Sequence, residues 1–352
     1  MLLISLLALT LNSSAAPRIT EYQVITAHPH DLEAILPHIE TREKNGRFWK
    51  VVPRASIPTG LYRHLRPLGS EEVGARMVPT PSRRRKGRLP VDQLVRLVDA
   101  DKIKADVISL SSYRNRAAGS DENRQAVNWA EDRLKALGYS TRQICYRAGS
   151  CSVLADKAGT QPATGTVLVM AHVDSVGRAF AGADDNASGT AALLEMARVL
   201  ASAPVGKNLR FFVTNGEENG LLGATHYANQ LQSAGELPQL KLVINMDMVG
   251  YNSNGVVELE TNAPYAAVAN KFAEHVHRYT SLRAKITLGA WGSDHVPFLE
   301  RRVPAILTIE NWDTKTPCYH KACDKPDTLN YEYAAEITKL NVAAVAEEAG
   351  LR

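Results

Sequence analysis

The run TVLVMAHVD, residues 166–174, constrains this chain more than any other segment. It has no polar alternation, so a strand built from it has both faces buried. Strands of that kind belong to sheets with helices on both sides. The run also ends on a histidine and an aspartate, placed where the apolar stretch stops. NLRFFVTN and KLVINMDMVG repeat the pattern, the first closing on Gly-Glu-Glu-Asn-Gly and the second on Asp247. Helical patterns fill the gaps. NRQAVNWAEDRLKALGY carries Val127, Ala130, Leu134 and Leu137 on one stripe, with Gly138 as its stop. SGTAALLEMARVLAS is expected to be a helix with Ser188 as N-cap and Leu193, Met196, Ala197 and Leu200 facing the core. LLGATHYANQL, AAVANKFAEHVHRY and YEYAAEITKLNVAAVAEEAG are further helices, and VVELE, KITLG and PAILTIE further strands. The fold class is therefore α/β: an α/β/α sandwich with a central, largely parallel mixed sheet, spanning residues 91–352.

The first ninety residues read differently. Leu2–Leu11 is apolar and small residues follow at Ser13–Ala16, the pattern of a secretory signal over residues 1–16, although no basic residue precedes it. Residues 17–90 read as a small irregular unit. Tyr22–Thr26 is strand-like, HDLEAILPHIETRE resembles a short amphipathic helix broken at Pro37, and Val78–Pro90 is a linker. Residues 1–90 hold 14 Lys and Arg against 7 Asp and Glu, whereas the remainder holds 27 against 30. The dense run Arg83-Arg84-Arg85-Lys86-Gly87-Arg88 lacks interleaved aromatics and any nucleic-acid motif, so a solvated linker fits it better than a nucleic-acid site. A signal, a small unit and a basic linker ahead of a larger domain suggest a propeptide, or an accessory unit that stays attached. No apolar run reaches the ~18–20 residues that span a bilayer. The expected location is secreted or periplasmic, and the expected state a monomer. Four cysteines form two close pairs, Cys145/Cys151 and Cys318/Cys323. Export makes two short-loop disulfides plausible, with free buried thiols as the plain alternative.

The residues at the strand ends carry the chemistry. His172 and Asp174 stand two apart, so in extended chain both point to one face, as suits a metal-binding histidine steadied by a carboxylate. GADDNASG presents Asp185, a carboxylate able to bridge two cations, and its Asn186 is a formal glycosylation sequon better suited to local hydrogen bonding. Glu217 and Glu218 are adjacent and cannot point the same way, so one can bind metal while the other moves a proton. Asp247 interrupts an apolar run, where a carboxylate is costly unless paired or metal-bound. A second histidine is needed. His320 in CYHKACDKPDTL and His295 in GSDHVPF both qualify, and spacing alone does not separate them. Two imidazoles, a bridging carboxylate, two further carboxylates and a spare one are the inventory for two zinc ions and a general base.

These motifs, AHVDS, GADD, NGEENG, NMDM and YHKACDKPDTL in that order, resemble the M28 family of zinc peptidases, especially secreted bacterial leucyl-type aminopeptidases. The resemblance covers the chain from Val91 onward. It implies the phosphorylase/hydrolase-like fold, two Zn2+ per chain and peptide substrates with a free N-terminus. Carried over by motif, His172 and Asp247 hold the first zinc, Glu218 and His320 the second, and Asp185 bridges. Glu217 is then the general base and Asp174 the partner of His172. The resemblance assigns the second histidine to His320 and leaves His295 near the site. It also suggests an apolar substrate pocket lined by Met248, Ile309 and Tyr319. The rival readings are a carboxypeptidase or dipeptidase using Arg301, Arg302 or Lys321, a one-zinc glutaminyl cyclase-like enzyme, and an inactive receptor-like module.

Overall fold

The computed structural model describes residues 22–24, 36–45, 48–53, 65–67, 74–79, 89–177 and 180–351. The expected signal at 1–16 and the arginine-rich run at 83–88 lie outside them. The chain divides into two compact units, residues 1–70 and 71–352.

The described residues of the first unit form a four-stranded sheet of β1 (Tyr22–Val24), β2 (Ile39–Asn45), β3 (Phe48–Pro53) and β4 (Leu65–Pro67), in the order β2-β3-β1-β4 with every pair antiparallel. The expected helix over HDLEAILPHIETRE is not what forms in its described part. Leu36–His38 is a single 3-10 turn and Ile39 opens a strand. Pro37 cannot continue a helix, and β2 satisfies its backbone against β3 instead.

The second unit holds nine strands: β5 (Gly74–Met77), β6 (Ser140–Arg147), β7 (Ser150–Lys157), β8 (Thr166–His172), β9 (Asn208–Thr214), β10 (Leu240–Met246), β11 (Val256–Thr261), β12 (Arg283–Leu288) and β13 (Ala305–Glu310). Their order is β5-β12-β11-β13-β10-β8-β9-β7-β6. The central four, β13, β10, β8 and β9, run parallel. Gly74–Met77 falls in the segment expected to precede the catalytic fold, yet it pairs antiparallel with β12 as an edge strand of this sheet.

All seven residues of β8 are buried. Val167, Val169 and Ala171 enter one core, while Leu168 and Met170 enter the other. Helices cover both faces, as an all-apolar strand demands. One layer is α1 (Leu89–Val95), α2 (Ala100–Ser111), α3 (Asp121–Ala136), α4 (Gly189–Leu200), α6 (Ala266–Tyr279) and α8 (Tyr331–Glu348), and the other is α5 (Leu222–Ser233) with the short α7 (Val296–Glu300). In α3 Val127, Ala130 and Leu134 of the expected stripe are buried, Leu137 at the helix end is half-buried, and Gly138 stops the helix at φ +88°. The chain leaving β8 enters α4 on one face, and the chain leaving β9 enters α5 on the other. Such a divergence opens a crevice at the carboxyl ends of the strands.

Candidate metal centre

His172 is the last residue of β8, Asp247 follows the last residue of β10, and Glu217 and Glu218 follow β9. The parallel sheet therefore delivers three motifs to one edge. Asp185 lies in the segment Ala183–Ser188 ahead of α4, and His320 in the loop after β13.

The fine geometry converges on two imidazoles. His172 Nε2 lies 3.3 Å from Asp247 Oδ1, 3.4 Å from Asp185 Oδ1 and 4.0 Å from Glu217 Oε2. His320 Nε2 lies 3.0 Å from Asp185 Oδ2 and 3.2 Å from Glu218 Oε2. Asp185 thus turns one oxygen to each ring. Donor atoms of His172, Glu217 and Asp247 all fall within 4.8 Å of one another, as do those of His172, Asp185 and Glu218. The structure brings together every residue expected to bind metal, with Glu217 beside them.

The surroundings hold these groups in place. His172 Nδ1 donates to the Asp174 carbonyl at 3.1 Å and lies 3.6 Å from its carboxylate. The Asp174 carboxylate also accepts from the backbone N–H of Glu217 and of Glu218, at 3.3 and 3.2 Å. One buried aspartate therefore orients the imidazole and the Glu-Glu turn together. Asp324 accepts from the N–H of Asp184 and of Asp185. Asn186 is fully buried; its side chain accepts from Gly189 N and donates to Met246 O, which leaves no exposure for a glycan. Ser188, expected as the N-cap of α4, does not cap it. Its hydroxyl donates to Asp184 O and accepts from Val249 N, while Asn186 takes the helix N–H.

His295 stands apart from the two donor sets, with Nε2 3.4 Å from Glu260 Oε1. Its neighbour Ser293 does reach the site, because the hydroxyl donates to Asp247 Oδ2 at 2.7 Å and accepts from Asn245 at the same distance. Sequence reasoning missed Ser293; the SDH tripeptide was the available signal. Met248 and Ile309 pack with Leu307 in an apolar cluster against which Trp312 and Tyr319 lie. Leu307 and Trp312 were not foreseen. Met248 holds φ +50° although buried and bulky, and is kept there by bonds to Asn186 and from Glu310. The Tyr319 ring stacks on His320 at 3.8 Å. Disulfides join Cys145 to Cys151, across paired β6 and β7, and Cys318 to Cys323, around His320.

The electrostatics favour a cation. Burial disfavours charge on His172, but Asp247 and Glu217 hold its pKa well above the usual imidazole range. Burial acts the same way on His320, yet Asp185 and Glu218 raise it to about 10. Glu217 is pushed well above a normal carboxylate by burial, against the pull of His172 and with the help of Asp247 and Glu218. Burial and Asp185 lift Glu218 to about 7. A buried excess of acids is unfavourable unless cations join it. Oxygen and imidazole donors in this mixture suit zinc.

Residues 152–345 match the profile of Peptidase family M28. Aminopeptidase YwaD of Bacillus subtilis is 38% identical over 192 residues, which are 51% of this chain and 40% of that protein. The probable leucine aminopeptidase 1 of Trichophyton verrucosum is 27% identical, over 73% of this chain and 76% of its own length. Among solved structures, the zinc aminopeptidase BSAP of Bacillus subtilis superposes with a TM-score of 0.64 at 19% identity, covering 71% of this chain and 95% of that one. The likeness is one of fold, an α/β sheet with helical layers. The chain spans less than half the length of the first of these relatives.

Proposed function

This chain belongs to peptidase family M28, and on that premise we propose that it is an exported aminopeptidase with two zinc ions that removes apolar, leucine-like N-terminal residues from peptides. The observation that carries this reading is Asp185, which offers one oxygen to His172 and the other to His320. His172, Asp247 and Asp185 would hold one ion, and His320, Glu218 and Asp185 the other. When bound, the ions supply Lewis acidity toward the scissile carbonyl and lower the pKa of water.

The side chains do the rest. Glu217 Oε2 is farther from His172 than the oxygens of Asp247 or Asp185, at 4.0 Å against 3.3 and 3.4 Å, which suits a base beside the ions. Glu217 takes the proton of the attacking water and returns it to the leaving amine. Asp174 keeps His172 in the tautomer that leaves Nε2 free for metal. Met248, Ile309 and Tyr319, joined by Leu307 and Trp312, form an apolar wall for the first side chain of the substrate. Arg301, a candidate anchor for a C-terminal carboxylate, is engaged by Pro297 O, Gln232 and Asn229, and Lys321 by Pro317 O, which favours an aminopeptidase over a carboxypeptidase.

Two short disulfides and an apolar start at Leu2–Leu11 support export. No helix among the described residues is long and apolar enough to cross a membrane. Residues 1–16 would be the signal, and most of the segment up to residue 90 a latency unit, although Gly74–Met77 pairs within the larger sheet. The test compares leucyl amide with an N-blocked peptide bearing a free C-terminus, for the full chain and for a form beginning at Glu71. The expected result is cleavage of the amide alone, faster in the shorter form. Cleavage of the blocked peptide alone would overturn the aminopeptidase reading.

A further inference from the structure

Arg116 is fully buried, and its side chain makes an unusual set of bonds. Nε donates to Val173 O at 2.9 Å. Nη1 donates to Leu110 O at 2.9 Å and to Ala181 O at 2.5 Å, and Nη2 to Gly182 O at 2.7 Å. All four acceptors are backbone carbonyls. Among the described residues no carboxylate forms an ion pair with it, although a buried guanidinium ordinarily has such a partner. Burial lowers its pKa only to about 10, opposed by Asp324, Asp174, Asp185 and Glu218, so it keeps its charge at neutral pH. Its own backbone joins the same network, since its carbonyl accepts from Ser175 N and from Asn123 Nδ2.

The acceptors have a pattern. Val173 follows His172 directly, and Ala181 and Gly182 precede Asp185 by four and three residues. The planar fork grips both flanks of the connection between the imidazole donor and the bridging carboxylate. Gly182 adopts φ +53°, and a Cβ there would come within 2.5 Å of Asp185 O and 3.0 Å of Arg116 Nη2, so the turn is fitted closely to the guanidinium.

Building on the two-zinc reading above, we propose that Arg116 is a positioning residue of the metal centre, which sets the separation of His172 and Asp185 by clamping the carbonyls of Val173, Ala181 and Gly182. Its charge alone makes the opposite demand. A cation near a cation site weakens metal binding, so if charge were its whole effect, neutralising Arg116 would tighten binding. As a clamp, its loss loosens the site and weakens binding despite the relief of repulsion. The sign of the change separates the two.

The experiment measures zinc affinity by chelator competition and the visible spectrum of the cobalt-substituted protein, for wild type, Arg116→Met and Arg116→Lys, in the full chain. The expected result for Arg116→Met is roughly 10–100-fold weaker zinc binding, the range for groups that orient metal ligands. An altered cobalt spectrum and a fall in kcat at nearly constant KM would accompany it. Arg116→Lys keeps the charge but lacks the fork, and is expected to weaken binding in the same direction. If the methionine variant does not fold, the lysine variant decides alone. Zinc affinity and cobalt spectrum equal to wild type, or tighter binding, would overturn the proposal even if the melting temperature fell. Wild-type protein that takes up no zinc would instead remove the two-zinc reading on which the proposal rests.

Discussion

The two halves of the candidate metal centre are built in different ways. His172 and Asp247 hang from the ends of adjacent parallel strands, β8 and β10, with the His172 side chain 1% exposed. Hydrogen bonds from Ser293 and to Asp174 fix both groups. His320 sits on a loop in the left-handed region at φ +54°, 14% exposed, with the Cys318–Cys323 disulfide around it and a tyrosine ring stacked on it. The inner half inherits its geometry from the sheet, and the outer half depends on local fastenings. Loosening the loop that carries His320 should therefore disturb the outer half and leave the inner half in place.

Glu217 lies beside His172 and Asp247 of the inner half, and its loss is expected to have the largest effect. Glu217→Gln should lower kcat by ~10²–10⁴-fold, the usual worth of a general base, while zinc content stays at the wild-type value. Unchanged turnover with full zinc would contradict its role. Ligand removal comes next and sets the halves against each other. Asp247→Ala strands the Ser293 hydroxyl and should cost about 1–3 kcal/mol even in metal-free protein, measurable by urea denaturation. His320→Ala should leave the inner ion bound and reduce the metal to one ion per chain by elemental analysis, whereas Asp247→Ala removes a ligand of the inner ion. Loss of both ions in His320→Ala would break the contrast. Third, Cys318→Ser with Cys323→Ser should weaken only the outer ion, by about tenfold, as loosened support of a ligand does. Cys145→Ser with Cys151→Ser, away on the β6–β7 pair, should leave zinc titrations unchanged. The smallest effect is expected of Ser293→Ala, about 1 kcal/mol in inner-ion affinity by competition titration.

The same contrast governs how much of the molecule is legible in its sequence. The inner half is legible because unbroken apolar runs mark buried strands, and a charged side chain at the end of such a run is costly unless it binds a partner. That the central strands run parallel follows from the alternation of strand and helix, whereas their order does not. His320 is not separable from His295 by spacing, because the choice is made by loop conformation and by contacts across long stretches of chain. Ser293, Arg116 and Trp312 escape a sequence reading for the same reason: their partners are at Asp247, Val173 and Glu258, distant in sequence. The β6–β7 hairpin is hard to read because β6 is an edge strand with mostly exposed residues and no clean alternation. The apolar spacing before Pro37 suits a helix running into Ile39–Asn45, whereas pairing with β3 determines what forms. Ser188 fails as a cap because Asn186, two residues earlier, reaches the helix N–H first.

The most direct test of the two-ion centre is the number of zinc ions bound per chain, by elemental analysis after titration of the metal-free protein with zinc. Asp185 facing both His172 and His320 predicts two ions, with the second lost in His320→Ala. A single ion in the wild-type protein, unaffected by His320→Ala, would contradict the bridging role of Asp185 and with it the paired centre.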